Sequence, residues 1–408
     1  MVGLSPTINT LNMKSKIRIL APAGNFESLM AGIKAGADEI YFGIGELNMR
    51  AGGANNFSIN DLKEIGLICK KAKVKSWVTL NTVVYDEEIG EIKRILNEIK
   101  KAEITGVIAS DLAVIKAANE LKIQVCVSTQ MSVSNVETIK FLSKWINRVV
   151  LARELNLEQI KKIAEKVKRE NLKVEIEVFG HGAMCVGISG RCQMSLFHNN
   201  LSANRGKCVQ MCRRKYEVKD LDSGKEMILD NNLIMSRSDL CTIGLLDKLV
   251  ESGISTIKIE GRARSADYVD TVVRVYKKAL DLISEKKYNK GNKEKLLEEL
   301  KTVFNRGFSS GFYLGRSTDE WALGENNLAT EKKILLGKIE HYYPKAEVSQ
   351  IKLTTKDRVQ NGDKYIIISP ISGVIRNTFK DIKMDENVLT FKVKEKIRKN
   401  DKLFLIKK

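Results

Sequence analysis

Four cysteines crowd into residues 185–212 with the spacing Cys185-x6-Cys192-x15-Cys208-x3-Cys212, and a fifth, Cys241, follows in the run SRSDLCT. The other two, Cys69 and Cys126, stand alone in apolar-periodic segments. Three chemistries use clustered thiols. Disulfides suit small secreted domains, whereas this chain has 408 residues, 7 cysteines and no apolar leader run at its N-terminus, which points to a reduced, cytoplasmic setting. Structural zinc draws on paired Cys-x2-4-Cys knuckles, and only Cys208 and Cys212 are spaced that way. An iron–sulfur cluster needs four thiolates that a fold brings together at irregular spacings, and it suits the glycine-rich backbone at Gly180, Gly182, Gly187, Gly190 and Gly206. The iron–sulfur reading fits best. A radical-SAM Cys-x3-Cys-x2-Cys arrangement is excluded, because Arg213, Arg214 and Lys215 follow Cys212.

The charge around the thiols agrees. From Val178 to Tyr216 there are Arg191, Arg205, Lys207, Arg213, Arg214 and Lys215, and no Asp or Glu. Cations lower the energy of an anionic cluster, but the same side chains suit an anionic small molecule, a phosphate backbone or merely solvent. The whole chain carries Lys+Arg 69 against Asp+Glu 50, a formal charge of +19. That balance favours a polyanion, RNA first, although a lysine-rich composition also accompanies genome bias or a high growth temperature. A protease would need an activated nucleophile or metal-bound water. The three histidines, His181, His198 and His341, belong to no HExxH motif, and no GxSxG is present.

These side chains must be held by a scaffold, and the scaffold is legible as alternation. Short apolar runs at Ile17–Ala21, Glu39–Gly43, Trp77–Asn81, Gly106–Ser110, Gln124–Ser128, Arg148–Leu151, Val174–Phe179 and Thr256–Glu260 alternate with helical patterns. Eight such pairs predict an α/β fold, a (β/α)8 TIM-like barrel over residues 1–286, with a cysteine-rich insertion at 181–255 after strand seven. Residues 287–332 read as a linker with one helix, Lys293–Phe304, followed by FNRGFSSGFYLGRS. From 333 to 408 short alternating strands with Asn361-Gly362-Asp363 and Asn400-Asp401 turns predict a small antiparallel β-barrel, an architecture that often contacts RNA. No apolar run approaches the ~20 residues of a membrane span. Barrel chemistry sits at the C-terminal strand ends, which here nominate Glu177, His181 and Glu260 for catalysis and Arg50 and Arg153 for holding an anion, a role that Arg191 and Arg205 of the insertion and Arg262 after strand eight could share. Glu177 shares its parity with Glu175, so a buried polar layer explains it equally well.

The run Glu177-x-Phe179-x2-Gly182-Ala183-Met184-Cys185-x4-Gly190-x-Cys192-x-Met194-Ser195 resembles the signature of peptidase family U32. Further blocks resemble the family from Leu20-Ala21-Pro22-Ala23-Gly24, through Asn204-Arg205-Gly206-x-Cys208-x3-Cys212-Arg213 and Lys258-Ile259-Glu260-Gly261-Arg262, to Phe304-Asn305-Arg306-Gly307-Phe308. The family was named for collagenase-like proteases. Its better understood members are oxygen-independent hydroxylation proteins that carry a [4Fe-4S] cluster. One group forms 5-hydroxyuridine at the tRNA wobble position with a prephenate-derived hydroxyl, another hydroxylates a cytidine of rRNA, and a third acts in ubiquinone synthesis. The resemblance implies Cys185, Cys192, Cys208 and Cys241 as cluster ligands, with Cys212 the competing fourth. It implies tRNA, ahead of rRNA, and a dicarboxylate such as prephenate as partners, with peptide hydrolysis the alternative.

Overall fold

The computed structural model describes residues 16–227, 233–315, 320–324 and 327–408. Residues 1–15 of the expected barrel, 228–232 of the insertion, and 316–319 and 325–326 of the linker, including Arg316 and Ser317, lie outside them.

Eight parallel strands form the barrel: β1 (Arg18–Ala23), β2 (Glu39–Gly43), β3 (Lys75–Leu80), β4 (Gly106–Ala109), β5 (Gln124–Val127), β6 (Arg148–Val150), β7 (Glu175–Gly182) and β8 (Thr256–Ile259). Each pairs with the next, and β8 pairs with both β7 and β1, which closes the ring. Parallel strands need long crossovers, and amphipathic helices supply them. The helix Leu157–Arg169 turns Ile160, Ile163, Ala164 and Val167 inward, and Asn156 caps it by accepting the Gln159 backbone N–H at 2.9 Å. Asn25 and Asn135 cap two other crossover helices in the same way. Each cap contributes about 1 kcal/mol, so Asn156→Ala would fray that helix first.

The barrel interior carries charge. Arg148 of β6 donates to Glu39 of β2 at 2.7 and 2.8 Å, to Glu175 at 2.9 Å and to Glu177 at 3.1 Å. Trp77 donates its indole N–H to Glu39 at 2.6 Å, and Lys258 of β8 lies 3.2 Å from Glu177. Burial of these charges is tolerable because each has an opposite partner, and removing one partner would cost roughly 3–5 kcal/mol.

After β7 the chain leaves the barrel. The strand Asp239–Cys241 runs antiparallel to the end of β7, pairing Leu240 with Gly182 and Cys241 with His181, and parallel to Phe308–Ser309. The helix Leu246–Glu251 then packs between Leu157–Arg169 and the long helix Ala266–Ser284, taking the seventh place in the outer ring. Two glycines permit the close approaches this detour requires. Gly182 adopts φ +107° with Glu260 O 2.4 Å from where a Cβ would stand, and Gly206 adopts φ +77° with Asn48 O at 2.1 Å.

The linker helix spans Lys290–Lys301. Seven antiparallel strands follow, and the long strand Lys332–Tyr343 pairs with Lys402–Lys407 along its first part and with Val348–Lys352 along its last. Register shifts between Leu335 and Gly337 and between Ile339 and His341 bend this strand, so the sheet folds over its own core. Tyr365, Phe379 and Phe391 pack there with ring centroids 4.6–5.4 Å apart. The sheet docks on the barrel through Arg376, which donates to Asp270 at 3.0 Å and Thr271 at 2.6 Å, and through Lys333 on Asp267. These partners lie in the first turns of Ala266–Ser284, the helix that leaves the C-terminal end of β8. The sheet therefore flanks the barrel mouth. No helix among the described residues is long and apolar enough to cross a membrane.

Candidate active site

A cavity of about 200 Å³ opens at the C-terminal ends of the strands, under the cysteine-rich insertion. Cys185, Cys192, Cys208 and Cys212 all line it. Their mutual proximity is visible in the Cys212 thiol, which burial first, and then the sulfurs of Cys185, Cys208 and Cys192, push above its ordinary pKa against the opposing effect of Arg213. Among the described residues no three His, Cys, Asp or Glu are close enough to share one metal ion. A tetrahedral zinc would need sulfurs about 3.8 Å apart, whereas a four-iron cluster gives each thiolate its own iron and spaces them more widely.

Cys241 is elsewhere. It is buried beside Tyr276, its thiol pushed up to about 11 by burial, and it lines no wall of the cavity. The strand that carries it turns the side chain behind β7, so the expected set of Cys185, Cys192, Cys208 and Cys241 is not brought together. The set that is brought together has Cys212 in its place.

Seven cations line the same cavity: Arg50, Arg153, Arg213, Lys258, Arg262, Arg264 and Arg306. Glu260 is the one carboxylate among them. Burial works to raise its pKa, but Arg50, Arg153 and Arg262 outweigh it and hold the carboxylate at about 2. Arg50 donates to Glu260 Oε1 through Nε at 3.2 Å and Nη2 at 3.0 Å, and the Tyr41 hydroxyl donates to Oε2 at 3.1 Å. Arg262 is fixed by Thr79 at 2.9 Å and Asn48 at 2.8 Å, and burial lowers its pKa to about 10. Arg153 lies on the Phe179 ring at 3.6 Å and donates to the Ala183 carbonyl at 2.9 Å, while its buried Nε has no partner. Arg264 stacks on Phe304 at 3.4 Å, and Arg306 pairs with Asp239 at 3.2 Å.

Several nominated residues stand apart from this cavity. Glu177 is fully buried between Arg148 and Lys258, a member of the interior charge layer. His181 packs among Tyr268, Tyr276 and Phe308, and burial, helped by Arg264, lowers its pKa to about 3. It is a neutral core residue without access to the cavity. Arg205 is tied to Glu88 and the Val83 carbonyl and lies over Tyr85 at 4.5 Å, which staples the insertion to the loop after β3. Arg191 is exposed on the outer surface of the insertion. Arg213 is a wall residue, donating to Ser236 at 3.0 Å and to the Met184 carbonyl at 2.7 Å.

Sequence reasoning overlooked Tyr41, Arg264 and Arg306 and left Lys258 without a role. Lys258 shares its strand face with Glu260, and Arg264 follows Arg262 by two residues, so both had a local signal. Arg306 comes from the linker, and only the tertiary fold brings it to the mouth.

A thiol-lined, arginine-rich barrel mouth built on these sequence blocks has a known counterpart: the model of peptidase family U32 matches residues 24–323. The chain belongs to that family. This U32 chain is 43% identical over 401 residues to a collagenase of Porphyromonas gingivalis, covering 95% of the chain and 97% of the relative. It is 33% identical over 363 residues to a tRNA hydroxylation protein of Bacillus subtilis, covering 87% and 84%. A 23S rRNA 5-hydroxycytidine synthase of Escherichia coli is 31% identical over 311 residues, with 74% of this chain and 46% of the relative covered.

Proposed function

We propose that this chain holds a [4Fe-4S] cluster on Cys185, Cys192, Cys208 and Cys212 and takes part in oxygen-independent RNA hydroxylation, with wobble uridine of tRNA as target and a dicarboxylate such as prephenate as hydroxyl donor. The observation that carries this reading is the convergence of four thiols and seven cations on one cavity at the barrel mouth. The donor set fits the cluster: four cysteine sulfurs, each partly enclosed, on the wall of one cavity. Such a cluster supplies redox or Lewis-acid chemistry at the cavity edge.

The chain's own residues do the rest. Glu260 stays ionised and fixes Arg50 in place. Arg153, with a buried N–H lacking a partner, and Arg264, held flat on Phe304, are suited to grip carboxylates through charge-assisted hydrogen bonds. Lys258 lines the cavity 4.4 Å from the centre of the Tyr41 ring, with its charge matched by Glu177 at 3.2 Å, and so links the site to the charged interior of the barrel. Hydroxylation of RNA is supported by the tRNA and rRNA names of two relatives, and by the net positive charge. The collagenase name of another relative keeps peptide hydrolysis as the second reading. Against it, no histidine lines the cavity among the described residues, and the one carboxylate there is too acidic to serve as a general base near neutrality.

The test is twofold. Protein purified without oxygen should contain about four iron and four sulfide per chain, and nucleosides from a deletion strain should lack a tRNA hydroxylation that the intact gene restores. Stoichiometric zinc without iron would overturn the cluster. Unchanged tRNA and rRNA nucleosides, with gelatin cleavage by the purified protein, would move the assignment to peptide hydrolysis.

A further inference from the structure

The short helix Met194–Asn199 lies between two cysteine-bearing stretches of the cavity wall. It begins two residues after Cys192, and its Ser195 is buried with Oγ 3.8 Å from the Cys208 sulfur and accepting the Val209 backbone N–H at 3.2 Å. The helix also packs on the turn Met211–Arg213. Its inner face is thus committed to the thiol site. Its outer face is not: Phe197 is 88% exposed, with Leu196 beside it and the His198 ring edge-on at 5.6 Å. Ile188 and Val209 of the same insertion are exposed as well. Leaving a phenylalanine in water forgoes the gain of burying it, and no contact within the fold recovers that gain here. The exposed cations of this insertion, Arg191, Lys207 and Arg214, accompany these apolar groups, and no Asp or Glu occurs from Val178 to Tyr216.

An exposed ring beside apolar side chains, on a stretch that carries cations and no acidic residue of its own, matches a single strand of nucleic acid, whose bases stack on aromatics while its phosphates meet cations. A protein interface would be expected to cover the apolar side chains in a dry core with the charges at its rim, whereas a nucleic-acid strand offers a flat base and a phosphate at every step, which suits one exposed ring set among cations. We propose that Phe197 is a stacking platform for an unpaired base of the RNA, placed at the rim so that the adjoining nucleotide reaches the thiol-lined cavity. This rests on the RNA reading above and deepens it by naming the contact that selects unpaired over duplex RNA.

The experiment uses the full chain, purified without oxygen, and a fluorescein-labelled oligouridylate of about ten nucleotides, with a duplex of equal length as comparison. F197A should weaken single-strand binding roughly 5- to 100-fold, the range of one lost base stack, with iron content and the slope against salt unchanged. F197W should restore binding. Neutralising Arg191, Lys207 and Arg214 together should instead flatten the salt slope. Parent-like binding by F197A overturns the platform and leaves the RNA reading intact. Failure of the parent to bind any RNA overturns both. A parent that sediments as a dimer, with F197A monomeric and RNA binding unaltered, would reassign the surface to contact between copies of this chain.

Discussion

The two candidates for the fourth thiol, Cys212 and Cys241, point in different directions. Cys212 faces the cavity with the other three thiols, while Cys241 sits behind β7 against Tyr276. Cys212→Ala should therefore lose most of the iron from anaerobically purified protein, and Cys241→Ala should keep it. The reverse pattern of iron retention would return the role to Cys241. Glu260 offers a second test at this scale. Its carboxyl is held at about 2 against an ordinary 4.5, a contribution on the order of 3 kcal/mol that is fully present above pH ~4.5 and lost as pH falls toward 2. Glu260→Gln imitates the protonated form. It should unfold in less urea than the parent at pH 7, and the gap should narrow as the pH falls from 4.5 toward 2; a gap independent of pH would show that the surrounding arginines do not hold the charge. Spacing marked Cys185, Cys192, Cys208 and Cys212 as one group, because they sit close together in sequence, and the family resemblance alone put Cys241 ahead of Cys212. Neither could choose the fourth thiol, since the antiparallel pairing of Cys241 with His181 depends on a register set across the fold. Glu177 and Glu260 were equally ambiguous. Both point inward, and only their depth along the barrel separates a structural ion pair from a cavity wall.

The insertion after β7 is fixed by two arginines that a linear reading counted as free charge. Arg205 anchors it to Glu88 of the loop after β3, and Arg213 cross-links it internally through the carbonyls of Met184 and Arg237. Replacing Arg213 leaves buried acceptors without donors, a loss of about 1–3 kcal/mol confined to this element. Arg213→Gln should thus reduce iron retention and lower the temperature at which the cluster absorbance bleaches, while Arg214→Gln, on an exposed side chain, should change neither. Equal effects of the two would mean that the wall contacts of Arg213 are dispensable. The barrel strands were legible to within three residues at either end, because eight buried β-runs recur between helical patterns, while the short helix Leu246–Glu251 before the last strand was not. The insertion was legible only as irregular. Its short helices and turns lack periodicity, and its position is set by contacts such as Gly206 against Asn48 that span more than a hundred residues of chain.

Across the whole molecule, positive charge is spread unevenly. The C-terminal residues 333–408 carry eighteen Lys and Arg against nine Asp and Glu. Their sheet is fastened beside the barrel mouth by Arg376 and Lys333 on the first turns of Ala266–Ser284. That the last strands would form a small antiparallel unit followed from their turn residues; that the unit flanks the mouth did not, since the docking partners Asp267 and Asp270 lie more than sixty residues earlier in the chain. The position matters for RNA. On the RNA reading proposed above, a strand reaching the cavity would enter a mouth that this sheet flanks. Lys394, Lys396, Arg398 and Lys399 form an exposed group on the sheet. If they contact phosphates, neutralising all four should reduce the slope of log affinity for tRNA against log salt by up to about 3, since each lost contact removes roughly 0.7–0.9. Affinity at low salt should fall together with the slope, and iron content should not change, because none of the four lies near the thiols. A slope equal to the parent's would confine the RNA footprint to the insertion and leave the C-terminal sheet as a brace for the helix that ends the barrel.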